Sequence, residues 1–259
     1  QAQHALTQRF TAEFSIRPFL ERHPEATLRQ LERWATDPSA HVRRLVSEGT
    51  RPRLPWAPRL RQFQADPAPV LALLALLKDD PELYVRRSVA NNLNDIGKDH
   101  PDVLAHTAQA WLKGATPERA WIVGHALRSA VKRGDSGALK VLGFGQAAQV
   151  AVGRIQITPV KPLIGEAVQI VLEVTNTHDM AQRVLVDLAL HYVKANGQAS
   201  PKVFKLKVLD LAPGQTAQVS KKLSLAQMTT RQHYPGVHKV VVLLNGQSQP
   251  LGEFELFKS

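Results

Sequence analysis

The sequence predicts two domains in series, a HEAT-like helical-repeat solenoid followed by an immunoglobulin-like β-sandwich. A stretch that opens with Asp-Pro and continues with paired arginines occurs at residues 37–48 and recurs 43 residues later, at 80–96. Repeats of roughly 40–47 residues are typical of HEAT or armadillo helix pairs, which bury their apolar faces by stacking on one another. From residue 151 the pattern changes to seven short segments rich in Val, Leu and Ile, separated by turn residues.

The first domain is predicted to begin with a helix over residues 3–20 that ends near Pro18 and contains Glu13. Further helices are predicted at residues 25–36, 39–49, 68–78, 81–97, 101–112 and 117–133. Glu13 is flanked by apolar residues, which leaves two interpretations open from the residues alone, a solvated glutamate and a functional one.

One polar stripe stands out on the predicted helix of residues 81–97. Arg87, Asn91 and Asp95 recur every four residues, which predicts an exposed ridge beside an apolar buried stripe. Superposing the two copies of the repeat places Arg44 on Arg87 and Glu48 on Asn91. Because equivalent residues of stacked repeats share one wall, we expect these five side chains to lie together. An intrahelical ion pair between Arg44 and Glu48 is the default alternative.

The segment 51–59 contains three prolines and three arginines around Trp56. Each proline fixes its own φ and restricts the residue before it, so the connector is stiff although it is a loop. A rigid loop that presents Trp56 between cations favours stacking of a base or a sugar. The alternative is that Trp56 packs back on the helices.

A glycine-rich segment, Gly134 to Gly145, ends the helical pattern, so the domains are predicted at 1–145 and 147–259. The predicted strands are Ala151–Thr158, Ala167–Val174, Val184–Val193, Lys202–Leu209, Thr216–Leu223, Lys239–Leu244 and Leu251–Phe257. Seven strands in about 110 residues suit an immunoglobulin-like sandwich. This one has no cysteine pair, since the sequence contains no cysteine.

Composition favours an anionic partner. The net charge is +11, and residues 1–145 carry 21 Lys and Arg against 15 acidic residues while residues 146–259 carry 12 against 7. Nucleic acid is favoured over a membrane, because there is no amphipathic basic helix and no apolar run of roughly 18 residues. Without cysteine and without a cluster at metal-ligand spacing, neither a metal nor another cofactor is predicted. A basic protein with no such partner is the simpler alternative.

Three tracts together resemble the AlkC branch of the DNA alkylation-repair glycosylases, and the C-terminal strands resemble the immunoglobulin-like domain that many members carry. The tracts are Leu6–Phe14 with Ile16–Phe19, Trp34–Trp56, and Tyr84–Asp95. The family has a further N-terminal helical portion, and this chain starts with Gln1. We therefore expect that portion to be absent here.

The resemblance implies a base-excision-repair enzyme that removes cationic N-alkylated bases, chiefly 3-methyladenine and 3-methylcytosine, without deep base flipping. The family's active-site acids fall on Glu13, Glu48 and Asp95, and its aromatic residue falls on Trp56. Carboxylates near C1′ can stabilise an oxocarbenium-like sugar and orient a water, and an aromatic ring can hold the cation. Two non-enzymatic alternatives remain, an interaction scaffold and a sensor of bent or damaged DNA.

The expected partner is double-stranded DNA with alkylated bases, bound by a monomer in the bacterial cytoplasm at the nucleoid. The residues expected to contact DNA are Arg44, Arg51, Arg53, Arg59, Arg86, Arg87, Asn91, Lys202, Lys205, Arg231, His233 and Tyr234. Arg44 and Arg87 are also expected to hold the carboxylates ionised. For the two basic loops of the second domain, an ordinary solvated rim is an equal alternative.

Overall fold

The computed structural model describes residues 1–229 and 232–258. The chain forms two compact units, Gln1–Val131 and Lys132–Ser259. Helices make up the first unit and seven strands most of the second, so the predicted fold class is confirmed. A short helix at Ser136–Val141 belongs to the second unit, whereas the sequence-based division at 145–147 assigned it to the first. The predicted domain bounds, residues 1–145 and 147–259, stay a prediction.

The helices are α1 (Ala2–Thr7), α2 (Arg17–Arg22), α3 (Pro24–Trp34), α4 (Ala40–Gly49), α5 (Arg61–Ala65), α6 (Ala68–Leu77), α7 (Leu83–Asp99), α8 (Pro101–Leu112), α9 (Pro117–Lys132) and α10 (Ser136–Val141). Six of the seven predicted helices match these within two residues at either end. The short helices α5 and α10 were not predicted, because five or six residues give too little periodicity to read.

The predicted helix over residues 3–20 is wrong. The chain leaves the helix after Thr7, turns, and starts α2 at Arg17 with Pro18 in its first turn. Proline is favoured at that position because its missing N–H would be unpaired there anyway, so Pro18 begins a helix where we expected it to end one. Glu13 therefore lies in the turn segment. Phe10 is 75% exposed and does not form the apolar face that the prediction needed.

The two copies of the repeat have the same local structure. In each copy the aspartate side chain accepts a hydrogen bond from the amide two residues later, over 2.8 Å for Asp37 and 2.9 Å for Asp80. Arg43 and Arg86, six residues after their aspartates, each donate to the carbonyl of that aspartate over 2.8 Å. Arg43 also pairs with the carboxylate of Asp80 over 2.6 Å, which joins one repeat to the next.

Apolar side chains of successive helices form the core of the first unit. Its largest fully buried side chains are Leu20, Leu31, Leu45, Leu60, Leu74, Leu77, Leu93, Ile96, Leu104, Ile122 and Leu127. α4 packs on α7, and the buried amide of Asn92 donates to the carbonyl of Ser47 over 2.7 Å and to Oγ1 of Thr50 over 3.1 Å. These polar contacts fix the register of α7 against the C-terminal end of α4.

The second unit is a two-sheet sandwich. Its strands are β1 (Val150–Thr158), β2 (Ala167–Asn176), β3 (Gln182–Val193), β4 (Ala199–Leu211), β5 (Thr216–Ser224), β6 (Gly236–Leu244) and β7 (Gln247–Leu256). One sheet has the order β1-β2-β5 and the other β4-β3-β6-β7, with every pair antiparallel. Alternate residues of β2, β3, β5 and β6 fill one core between the sheets. All seven predicted strands overlap the observed ones.

Candidate active site

The three predicted carboxylates lie in one chain of alternating charge. The Nη1 atom of Arg44 donates to Oε2 of Glu13 over 3.1 Å, and its Nη2 lies 3.7 Å from Oε1 of Glu48. Arg51 donates to the same Glu48 oxygen over 2.7 Å and to Oδ2 of Asp95 over 2.8 Å. Four segments thus converge on one site: the turn before α2, the end of α4, the loop that begins at Arg51, and the last turns of α7. We call Glu13, Arg44, Glu48, Arg51 and Asp95 the charged chain.

Packing of α4 on α7 sets the spacing within the charged chain. Glu48 lies one turn after Arg44 on α4, and its second oxygen accepts a hydrogen bond from the hydroxyl of Ser88 over 2.6 Å. Ser88 and Asp95 lie two turns apart on α7, so both project toward α4. The Arg44–Glu48 contact that was the default expectation is present, but it is the longest link in the chain.

The carboxylates differ in how much of each side chain solvent can reach. The exposed fraction is 11% for Glu13, 9% for Glu48 and 2% for Asp95. Both oxygens of Asp95 are engaged, since Lys98 donates to Oδ1 over 2.8 Å while Arg51 holds Oδ2. Within residues 1–229 and 232–258, Oε1 of Glu13 accepts no hydrogen bond from protein. Glu13 is therefore the carboxylate most open to a water molecule or a sugar.

Arg51 is the electrostatic centre of the charged chain. Burial works to lower the pKa of its guanidinium, but the nearby carboxylates of Glu48 and Asp95 outweigh burial and raise the pKa above its ordinary value. Because 11% of its side chain is exposed, water screens these ion pairs less than it screens surface pairs. The sequence assigned this role to Arg44 and Arg87. Arg44 shares it, whereas Arg87 is exposed and makes no ion pair among the described residues.

Trp56 is presented to solvent from the loop that begins at Arg51. Its residue is 97% exposed, and its φ of +61° lies in the left-handed region that side chains other than glycine rarely adopt. The alternative of Trp56 packing back on the helices is therefore wrong. A large aromatic ring with almost no protein contact offers both faces to a ligand.

Comparison with known proteins decides the family. Residues 10–117 match the family model described as "DNA alkylation repair enzyme", and residues 151–258 match "Uncharacterised protein YhaZ, C-terminal Ig-like domain". The YhaZ protein of Bacillus subtilis (strain 168) is 39% identical over 99% of this chain and 71% of its own length. The solved structure of Pseudomonas fluorescens alkylpurine DNA glycosylase AlkC, bound to DNA containing an abasic site analog, superposes with a TM-score of 0.94 at 43% identity. That superposition covers 99% of this chain and 71% of the AlkC chain. This chain belongs to the AlkC branch of the DNA alkylation repair family.

Several arginines of this AlkC-branch chain that we expected to contact phosphates have protein partners instead. Arg53 is bound through Nε and Nη2 to the carboxylate of Asp99, and Arg86 donates to two main-chain carbonyls. Protein acceptors thus hold the Nε and Nη2 donors of Arg53 and the Nη1 donors of Arg86, and Arg51 is held by Glu48 and Asp95. A phosphate contact by these three arginines stays a prediction, and it would have to use their remaining donors. Arg59 and Arg87 are exposed and keep their donors available.

Solvent exposure decreases along the ridge predicted on α7. Arg87 is exposed and Asn91 is half-buried, but Asp95 is 1% exposed, so the stripe enters the protein toward its C-terminal end. Oδ1 of Asn91 accepts a hydrogen bond from Arg128 of α9 over 2.8 Å, which was not foreseen. Arg128 lies one turn from His125, whose ring stacks on Trp121 with ring centroids 4.9 Å apart. The histidine was left out of the predicted site.

In the sandwich of this AlkC-branch chain the residues predicted to contact DNA differ in their exposure to solvent. Lys205 is exposed, and the ammonium of Lys202 lies 5.3 Å from the ring centroid of Phe204. Tyr234 is half-buried, and its hydroxyl donates to Gln232 over 2.9 Å. His233 is 3% exposed, so its side chain is placed neither for the expected DNA contact nor in the solvated rim that was the alternative. Arg231 lies outside the described residues.

The sequence analysis missed four contributors to the site. They are Ser88, which contacts Glu48; Lys98, which contacts Asp95; Arg128, which contacts Asn91; and Arg17, which is described below. Spacing along α7 identifies the first two, since they lie seven residues before and three residues after Asp95. In the part of the chain that the structure describes, no helix is long and apolar enough to span a membrane, and no group of three His, Asp or Glu residues could hold a metal ion.

Proposed function

We propose that this protein is a monofunctional DNA glycosylase of base excision repair that hydrolyses the N-glycosidic bond of cationic N-alkylated bases. The substrates are 3-methyladenine and 3-methylcytosine in duplex DNA. The observation that supports the proposal best is the charged chain, which brings three carboxylates from distant segments to one site. The AlkC match supports the same class of reaction, since that relative is an alkylpurine DNA glycosylase.

Cationic bases suit this site because they leave readily. When the bond between C1′ and the base nitrogen breaks, its electron pair stays with the base and neutralises the base's positive charge. The sugar becomes an oxocarbenium-like cation, which nearby carboxylates stabilise electrostatically. The oxygen of a water molecule then bonds to C1′, and the water gives its proton to a carboxylate. Glu13 is the acceptor best placed for that water, because its Oε1 is without a protein partner among the described residues.

Arg44 and Arg51 keep the acids of the charged chain in place. Without them three negative charges so close together would repel one another. Trp56 is the residue that can hold the cationic sugar or base by π attraction, which contributes about 0.5–2 kcal/mol. The proposed site thus supplies negative charge and an aromatic face, which favour a cationic base over a neutral one.

Water, rather than a lysine, is the nucleophile in this proposal. Lys98 is the amine beside the charged chain, and it donates to Asp95 over 2.8 Å, so the ion pair already engages the group that would have to attack C1′. Borohydride treatment during turnover should therefore trap no covalent protein–DNA complex. Trapping that disappears in Lys98→Gln would overturn the monofunctional assignment.

The decisive experiment is a single-turnover excision assay on matched duplexes that carry 3-methyladenine, 3-methylcytosine, 7-methylguanine or uracil. Release of the first two, with uracil untouched, is expected. Uracil is neutral and a poorer leaving group, so its release would contradict the proposal. A scaffold or damage sensor would bind these duplexes and release no base from any of them.

Both units are proposed to bind duplex DNA. The protein is proposed to act as a monomer in the bacterial cytoplasm, at the nucleoid. Arg59 and Arg87 of the first unit and Lys202 and Lys205 of the second are the cations proposed to meet phosphates. Each phosphate contact removed should reduce the slope of log affinity against log salt by about 1. Lys205→Gln and Arg87→Gln should each do so, and Arg29→Gln on α3 is the matched control. Unchanged slopes in both variants would remove these residues from the interface.

A further inference from the structure

We propose that Arg17 is a positioning residue for the reaction, because it holds the loop that presents Trp56. Nη1 of Arg17 donates to the carbonyls of Gly49 over 3.2 Å and Arg51 over 2.9 Å, and Nη2 donates to the carbonyl of Pro58 over 2.5 Å. One guanidinium therefore joins both ends of the Trp56 loop, residues 51–59. This inference rests on the proposed function for its kinetic consequence, but not for the contact itself.

The Trp56 loop needs donors from outside because it contains few of its own. Pro52, Pro55 and Pro58 have no backbone N–H. Its internal main-chain hydrogen bonds are long, at 3.3 Å from Ala57 to the Leu54 carbonyl and 3.3 Å from Leu60 to the Pro52 carbonyl. Arginine carries five N–H donors in a planar fork, so a single side chain can satisfy several carbonyls at once.

The fold keeps Arg17 charged in a place where charge is costly. The residue is 4% exposed, and every hydrogen-bond acceptor that it has among the described residues is a main-chain carbonyl. Burial lowers its pKa to about 10, with Glu21 opposing the shift and Arg51 and Arg59 adding to it. At neutral pH the guanidinium remains protonated and all its donors are available. Since a buried polar group without a partner costs about 1–3 kcal/mol, the carbonyls and the guanidinium depend on each other.

The position of Arg17 is itself fixed by close packing. A Cβ added at Gly49 would lie 2.6 Å from Cγ2 of Ile16, so the end of α4 and the residue before Arg17 are in direct contact. This contact explains why glycine occupies the last position of α4. The guanidinium consequently reaches the loop from a rigid base.

The indole ring of Trp56 depends on its loop for its position, because the ring itself packs on almost nothing. With 97% of the residue exposed, no side-chain packing determines where the indole ring lies, and its backbone is held at a φ of +61°. The same loop starts at Arg51, which contacts Glu48 and Asp95. A shift of the loop would therefore move both the ring and the centre of the charged chain. Displacements of about 1 Å can cost about 10²-fold in rate.

A double-mutant cycle between Arg17→Lys and Trp56→Ala tests the inference. Lysine keeps the positive charge but cannot span both ends of the loop. We expect Arg17→Lys to lower the single-turnover rate about 10-fold or more while affinity for undamaged DNA changes less than about 2-fold. In the Trp56→Ala background Arg17→Lys should have a much smaller effect on the rate. Arg22→Lys, exposed on the same helix, is the matched control and should leave the rate unchanged.

Amide hydrogen exchange gives a second readout that does not depend on excision. Arg17→Lys should speed exchange of the amides in residues 50–60 and leave α7 protected. Pro55→Gly, which loosens the loop without touching Arg17, should reproduce the pattern if Arg17→Lys does not fold. Parental protection in the loop, or an equal fall in rate with and without Trp56, would overturn the positioning role. Absence of base release by the parental protein would refute the proposed function alone, since the exchange result would still report on the contact.

Discussion

Replacing Asp95 by Asn tests whether the charged chain does the chemistry. The substitution keeps the shape of the side chain and removes its charge. The loss should lower the single-turnover excision rate of 3-methyladenine by about 10²-fold, which corresponds to about 2.7 kcal/mol of transition-state stabilisation. Affinity for undamaged duplex should hold or rise slightly, because the substitution removes one negative charge from a protein proposed to bind a polyanion.

The structure also predicts the stability of Asp95→Asn. Asp95 has a side chain that is 2% exposed and accepts charged hydrogen bonds from Arg51 and Lys98. The Lys98–Asp95 ion pair contributes little to this stability, because 38% of the Lys98 side chain is exposed and water screens the pair. An amide oxygen still accepts one bond, so we expect a loss of about 2 kcal/mol, within the range of a hydrogen bond to a charged group. The melting temperature should fall by about 4–8 °C.

Asp80→Asn is the matched control for this experiment. Asp80 lies just before α7, is buried and is bound by Arg43 through both carboxylate oxygens, but it belongs neither to the charged chain nor to the Trp56 loop. The control should lose stability on a similar scale and excise at the parental rate. If both variants slow excision equally, the effect comes from loosening α7. If Asp95→Asn excises at the parental rate, Asp95 is a structural residue and the catalytic assignment passes to Glu13 and Glu48.

Three further predictions follow from single residues. Glu13→Gln should lower the excision rate at least about 10-fold. It should shift the melting temperature by less than about 2 °C, because the substitution weakens a single arginine contact. A larger shift in the melting temperature without a fall in the excision rate would contradict the catalytic role of Glu13. Trp56→Gly should leave calorimetric stability unchanged or raise it by about 1 kcal/mol, since glycine relieves the left-handed backbone, while excision slows; a clear loss of stability would mean that the ring packs in solution. Burial lowers the pKa of His238 below its ordinary 6.5, although carbonyl contacts at Tyr234 and His191 oppose the shift. As pH falls, the unfolded chain therefore takes up the proton before the folded protein does. The contribution of neutral His238 to folding stability is complete above pH 6.5 and is lost as pH falls toward the lowered pKa. His238→Gln should remove this loss, so the melting temperature should depend less on pH in that range.

The repeat and its acids were predictable because they depend on local signals. Asp-Pro followed six residues later by arginine sets up the same side-chain contacts in both copies, and Asp95 lies on a strongly periodic helix. The first helix was wrong for the same reason, since Phe10 and Phe14 have helical spacing but do not find a core. Periodicity reports which residues could share a face, and tertiary packing decides whether that face is covered.

The role of Arg51 was not predictable from its neighbours. Proline restricts the backbone around it, but nothing local shows that its side chain turns inward to meet Glu48 and Asp95. That orientation requires α7 to be stacked on α4, a contact between residues more than forty positions apart. Arg17 presents the same difficulty, because its three acceptors are main-chain carbonyls, which no sequence pattern displays.

These pairings change what the net charge says about DNA binding. A charge of +11 suggests many phosphate contacts, but arginine side chains of the first unit are bound to carboxylates or carbonyls. The affected residues include Arg17, Arg43, Arg44, Arg51, Arg53, Arg86, Arg119 and Arg128. Counterion release depends on the phosphates that are actually neutralised, with a slope of about −0.9 per contact. We therefore expect exposed cations such as Arg59, Arg87 and Lys205 to determine the salt dependence, because Arg17, Arg44 and Arg51 already hold the charged chain and the Trp56 loop in place.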